Sequence, residues 1–105
     1  MWETDIFVDL LGASGATYRF RSWDDAGQSP MAGNFVVIEG RGAGLQVLMV
    51  GVSNDVSKAE AQATSAGLGG RPLFVRLNVG RATRYSEHHD IVAQYSPGKV
   101  FDAES

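Results

Sequence analysis

The chain contains no cysteine, which removes disulfides, cysteine-ligated zinc and thiol nucleophiles together and fits a reducing compartment. It also lacks a long apolar run. Stretches such as Leu48 to Val52 are far too short to span a bilayer. Met1-Trp2-Glu3-Thr4-Asp5 is acidic and polar, so it does not read as a signal peptide. A soluble, cytoplasmic protein with no membrane partner is expected. Nor is there an excess of basic residues. Net charge is −3 at pH 7, whereas domains that bind nucleic acid mainly through phosphates are usually basic. What remains is a chain of 105 residues, 44% of them apolar, enough for one modest core and one domain.

Along the chain, Ile6, Val8 and Leu10 alternate with Asp5, Phe7 and Asp9, as in a strand. Gly12-Ala13-Ser14-Gly15 supplies a turn. Thr17 to Trp23 reads as the returning strand, with Tyr18 and Phe20 on one face and Arg19 and Arg21 on the other. Packing is the expected role of Tyr18 and Phe20; base stacking, with Trp23, is the alternative. Asp24 to Ala32, with Gly27, Ser29 and Pro30, reads as a loop. Asn34 to Glu39 and Leu45 to Val52 form a second hairpin around Gly40-Arg41-Gly42-Ala43-Gly44. The glycines there lack the Lys-Ser/Thr ending of a phosphate-binding loop and lead into a strand. The near-continuous apolar character of Leu45 to Val52 predicts a strand covered on both faces.

A helix is expected next, capped by Asn54, Asp55 or Ser57, with Ser57 and Glu60 as a capping box. Val56, Ala59, Ala63 and Ala66 form its inner face, and Gly67 its stop. Leu73, Val75, Leu77 and Val79 alternate with Phe74, Arg76 and Asn78 as another strand. A second helix runs from Ala82 to Tyr95, with Tyr85, His88, Val92 and Tyr95 inward and Pro97-Gly98 at its end. The expectation is an α+β domain: a small antiparallel sheet with two helices. Residues 1–32 would form the N-terminal hairpin and loop, and residues 33–100 the core.

Two clusters carry charge chemistry. Arg71, Arg76, Arg81 and Arg84 have no acidic residue between them. They read either as a solvated edge strand and helix start or as phosphate contacts, which would be weak and salt-sensitive. Glu87-His88-His89-Asp90 has the right side chains for a metal, but only Glu87 and Asp90 have helical ligand spacing, and adjacent histidines point about 100° apart. The expected arrangement is a surface His89 and a partly buried, hydrogen-bonded His88.

Three segments resemble the GIY-YIG nuclease family. Gly33-Asn34-Phe35 stands where the family has Gly-Ile-Tyr. Met49-Val50-Gly51 stands where it has Tyr-Ile-Gly and leads into a polar turn, Val52 to Val56. His88 to Pro97 is similar to the family's last helix. The resemblance implies a β-β-α-β-α core preceded by the N-terminal hairpin, which lies outside the family pattern. It also implies a phosphodiesterase chemistry in which two tyrosines and an arginine act around the scissile phosphate and a glutamate holds one Mg²⁺ or Mn²⁺.

Position by position, the reactive groups are missing. The tyrosines become Phe35 and Met49, the arginine becomes Ala59, and the glutamate becomes His88. The asparagine expected after the proline becomes Val100. Gly33 and Gly51 remain. A one-residue shift would bring in Lys58 and Glu87, but would turn Glu87 away from the inner face by about 100°. The resemblance therefore implies a degenerate, catalytically inactive, cofactor-free domain that acts as a binding or interaction module. The alternatives are a metal-dependent endonuclease with displaced residues (Lys58, Glu87) and a small homo-oligomeric structural protein. Weak nucleic-acid binding through the four arginines, a protein partner and self-association all remain open.

Overall fold

The computed structural model describes residues 6–26 and 30–102. Met1 to Asp5, Gly27 and Ser29, to which parts of the sequence reading refer, lie outside the described residues. The elements are β1 (Phe7–Leu11), β2 (Thr17–Ser22), a one-turn helix α1 (Trp23–Ala26), β3 (Gly33–Glu39), β4 (Gln46–Ser53), α2 (Ala59–Ser65), β5 (Leu73–Leu77), α3 (Arg81–Tyr95) and β6 (Lys99–Asp102). Two 3-10 turns, Gly42–Gly44 and Val56–Lys58, precede β4 and α2.

The fold is α+β, with one six-stranded sheet in the order β1-β2-β5-β3-β4-β6. The sheet is mixed rather than antiparallel, because β6 lies parallel to β4, pairing Met49 with Lys99 and Val52 with Asp102. Two elements depart from the sequence reading: the one-turn helix α1 begins at Trp23, within the expected strand end and loop, and makes three helices rather than two, and β6 is an additional strand. β6 is short and half polar, and among the described residues it pairs with β4 alone, so no local period marks it. The other ladders are antiparallel.

Strand alternation divides the core in two. Val36, Ile38, Val47 and Val50 face one side, where they meet Leu10, Phe20, Phe74 and Ile91 of α3. Phe35, Val37, Met49 and Val75 face the other, against Val56, Ala59 and Ala63 of the α2 region and Trp23 of α1. The apolar run of β4 serves both faces because successive side chains alternate, and the register shifts between Val37 and Ile38, whose partners are Met49 and Val47. Leu48 is the extra residue of this bulge. The alanine face of α2 fits this arrangement, since small side chains let the helix sit close to the sheet.

Local caps differ in detail from expectation. Asp55 caps the 3-10 turn by accepting from the Ser57 amide, and the Ser57 hydroxyl also donates to Asp55. Ser57 is thus occupied and forms no capping box with Glu60. On α3 the buried residues are Arg84, His88 and Ile91, a face turned by one residue from the expected Tyr85, His88, Val92 and Tyr95. Tyr85, Val92 and Tyr95 are half-buried. Ser96, in the left-handed region at φ 43°, ends the helix. Val79 falls outside β5 and is exposed. Among the described residues no helix is long and apolar enough to cross a membrane.

Candidate functional site

The two motif glycines are fixed by close approach. A Cβ on Gly33 would stand 2.3 Å from the carbonyl oxygen of Arg76 on the neighbouring strand. A Cβ on Gly51 would stand 2.1 Å from Cζ of Phe35. Both positions therefore need glycine for packing alone.

The other positions implied by the resemblance are divided by the sheet. Phe35, Met49 and Ala59 come together, but inside the α2-side core, at 0%, 2% and 0% exposure. The Phe35 ring covers Gly51 and meets Phe101 of β6 with centroids 6.1 Å apart. His88 lies on the inner face of α3 with Ile91, which packs against the opposite side of the sheet. Val100 is exposed. The four positions do not line one cleft.

The fallback pair fares similarly. Lys58 is exposed at the entrance to α2. Glu87 is not turned away from the sheet, as the helical rotation predicts. It reaches β5, where its Oε1 accepts from Arg76 Nε at 2.8 Å and from Asn78 Nδ2 at 2.9 Å. The same Asn78 amide donates to Oδ1 of Asn34 at 3.1 Å, and Asn34 Nδ2 donates to the carbonyl of Arg84 at 2.8 Å. Arg84, 5% exposed, donates to the carbonyl of Val79 at 2.7 Å. This partly buried network joins β3, β5 with the turn after it, and α3. Sequence reasoning places Asn34 and Asn78 on strands without a site role; a lone amide in the β-forming run of β3 is the visible signal.

The sequence Glu87-His88-His89-Asp90 points in four directions. Glu87 serves the network. His88 is buried, its Nδ1 has no hydrogen-bond partner among the described residues, and burial pushes its pKa below the usual 6.5. The expectation of a hydrogen-bonded His88 is therefore not met at Nδ1. His89 is exposed. Asp90 clamps the first hairpin, accepting from the Ser14 amide at 2.9 Å, the Ser14 hydroxyl at 2.6 Å and the Tyr18 hydroxyl at 2.7 Å. The bonds from Ser14 and Tyr18 hold the Asp90 carboxyl below its usual range, and the bond to Asp90 raises the Tyr18 phenol. These residues do not fit the divalent cation the resemblance implies: His88 stands at the glutamate position, and the neighbouring Glu87 is taken by Arg76 and Asn78.

The four arginines are dispersed. Arg71 precedes β5 and pairs with Glu39 at 2.6 Å; Arg81 follows β5 and stacks over Tyr85 at 4.8 Å. Arg76 is held by Glu87, and Arg84 is buried. β5 lies between β2 and β3 and is not an edge strand. At the Arg71 end of the sheet, a cleft of about 360 Å³ carries both signs of charge, from Arg41, Arg71, Asp24 and Glu60 around Trp23 and Leu68.

Comparison with known proteins adds no neighbour: no family model, curated protein or solved structure matches the chain.

Proposed function

We propose that the chain is a non-catalytic binding module on a GIY-YIG-like framework, in which the positions of the cleavage chemistry have become core. The observation that carries this reading is the closure of Phe35, Met49 and Ala59 within one apolar cluster. Phosphodiester cleavage needs polar groups open to a phosphate, positioned together with a hard cation. A phenyl ring, a thioether and a methyl group without solvent contact supply none of these. Support for the framework comes from the order β3, β4, α2, β5, α3, with β3 between β4 and β5, and from the two glycines that keep their places.

Purified protein with Mg²⁺ or Mn²⁺ should leave supercoiled plasmid and branched DNA intact. Cleavage abolished by Glu87→Ala or His88→Ala would overturn the reading in favour of a displaced nuclease site.

A further inference from the structure

We propose that the uncovered face of the N-terminal hairpin packs against a second copy of this chain, sheet on sheet about a twofold axis. An apolar sheet face is buried by a second layer. On the α2 side that layer covers Phe35, Val37, Met49 and Val75, and it stops there. Alternation puts Val8, Leu10, Tyr18 and Phe20 on the α3 side. Phe7, Asp9, Leu11, Arg19 and Arg21 therefore point to the α2 side, as does Leu77, two residues beyond Val75. Among the described residues no helix covers these six, and all are exposed. Phe7, Leu11 and Leu77 stand at 46%, 43% and 43% exposure, where a solvated sheet face carries polar side chains.

Charge selects the second copy as the occupant. Asp9 accepts from Nε and Nη2 of Arg19 at 2.9 and 3.2 Å, and Asp25 pairs with Arg21. Each cation on the face is matched by an anion, so the chain's charge of −3 lies off it. A twofold axis presents a patch to itself. A face of one sign would repel its copy, whereas this one does not. Asp9 and Arg19 are partners across the β1–β2 ladder, as are Phe7 with Arg21 and Leu11 with Thr17. An axis running along the strands between β1 and β2 exchanges the members of every such pair. Each Arg19 then faces the other copy's Asp9, with Nη1 left for it. Each Phe7 ring faces the other copy's Arg21, an arrangement that the Phe7 ring already makes within one chain, with guanidiniums at 5.0 and 5.5 Å.

The layers leave room for this pairing. β1 is an edge strand, so in sheets packed face to face about 10 Å apart each copy's α2 passes outside the other's β1. Pairing edge to edge along β1 is less favoured, because the Leu11 amide is already donated to the Tyr95 hydroxyl at 2.9 Å. Aromatic and arginine side chains are also those enriched at interfaces. Two strands of five and six residues present less than the roughly 800 Å² per partner of a standard interface. The pair is therefore weak and reversible, with a dissociation constant on the order of 100 μM.

Sedimentation velocity of the full chain from about 10 μM to about 1 mM tests this, with monomer expected to give way to dimer. Phe7→Lys and Asp9→Arg should each weaken association about tenfold or more, by setting like charges against each other. The exchanged double variant Asp9→Arg/Arg19→Asp, which keeps the head-to-tail match, should associate again. Val100→Lys, on β6 at the opposite edge of the sheet, should change nothing. A chain still monomeric at the highest concentration would overturn the proposal and leave the face to solvent or to a different partner. A dimer indifferent to both single variants would overturn it too, and an exchanged variant that stays monomeric would overturn the head-to-tail arrangement. Plasmid cleavage, by contrast, would overturn only the framework reading, because the hairpin lies outside that framework.

Discussion

The ring of Phe35 occupies the space in which a side chain on Gly51 would stand, directly across the β3–β4 ladder. Gly51→Ala should therefore destabilise the fold by about 1–3 kcal/mol through overpacking, read as a lower urea midpoint. In a Phe35→Leu background the same change should cost less, because the clashing ring is gone. Equal cost in both backgrounds would show that the two positions are not coupled.

Restoring the arginine of the resemblance should not restore chemistry. Ala59 is fully buried against the sheet, and a guanidinium there would lack both water and a partner. Ala59→Arg should cost roughly 3 kcal/mol or more, with plasmid left intact. Thermal melting and a cleavage assay read the two effects separately; a stable, cleaving Ala59→Arg variant would reverse the account of that position.

Acidification should weaken the protein through His88. Burial lowers its folded pKa below the ordinary 6.5, so the unfolded chain binds the extra proton more readily. The stabilising effect of the neutral ring is present above 6.5 and is lost as pH falls through that value toward the folded pKa. Urea midpoints measured on either side of 6.5 should show the decline, and His88→Gln should flatten it. An unchanged slope in the variant would assign the decline to other groups.

Removing the clamp on the first hairpin should be visible in a phenol. Asp90 accepts from the Tyr18 hydroxyl and raises its pKa above 10.0. Asp90→Ala should bring the Tyr18 titration back down toward that value, followed by ultraviolet absorbance, and should lower the melting temperature. The carboxylate's own pKa is held below 3.8. Its contribution is therefore present above 3.8 and disappears as pH falls through the lowered value. A Tyr18 titration indifferent to the substitution would mean the bond is not formed in solution.

Much of the fold was legible because it is local. The alternation of Val36 and Ile38 with Phe35 and Val37 marked the two faces of β3, and Val56, Ala59 and Ala63 marked the inner side of α2. The inner face of α3 is turned one residue from the expected one, because Arg84 lies inside despite its charge. What allows it inside is a pair of carbonyls, those of Asn78 and Val79, which only the folded chain brings to it. β6 was missed for a related reason: its strand character comes from lying beside β4. At the site, the missing hydroxyls and guanidinium were legible as residue types, whereas the placement of His88 across the sheet from Phe35 required the topology. The Asp90 clamp joins residues 76 apart in sequence, and no spacing rule connects them.

The two-pair seam between β2 and β5 makes the six strands unequal in time. Amide hydrogen exchange should divide the sheet, with β1 and β2 opening as one unit at a lower free energy than the β3–β4 ladder. Each such opening would bare Leu10 and Phe20 and turn β5 into an unprotected edge, able to template pairing with another unfolded chain. Ser14, Tyr18 and Asp90 would then act as gatekeepers against aggregation.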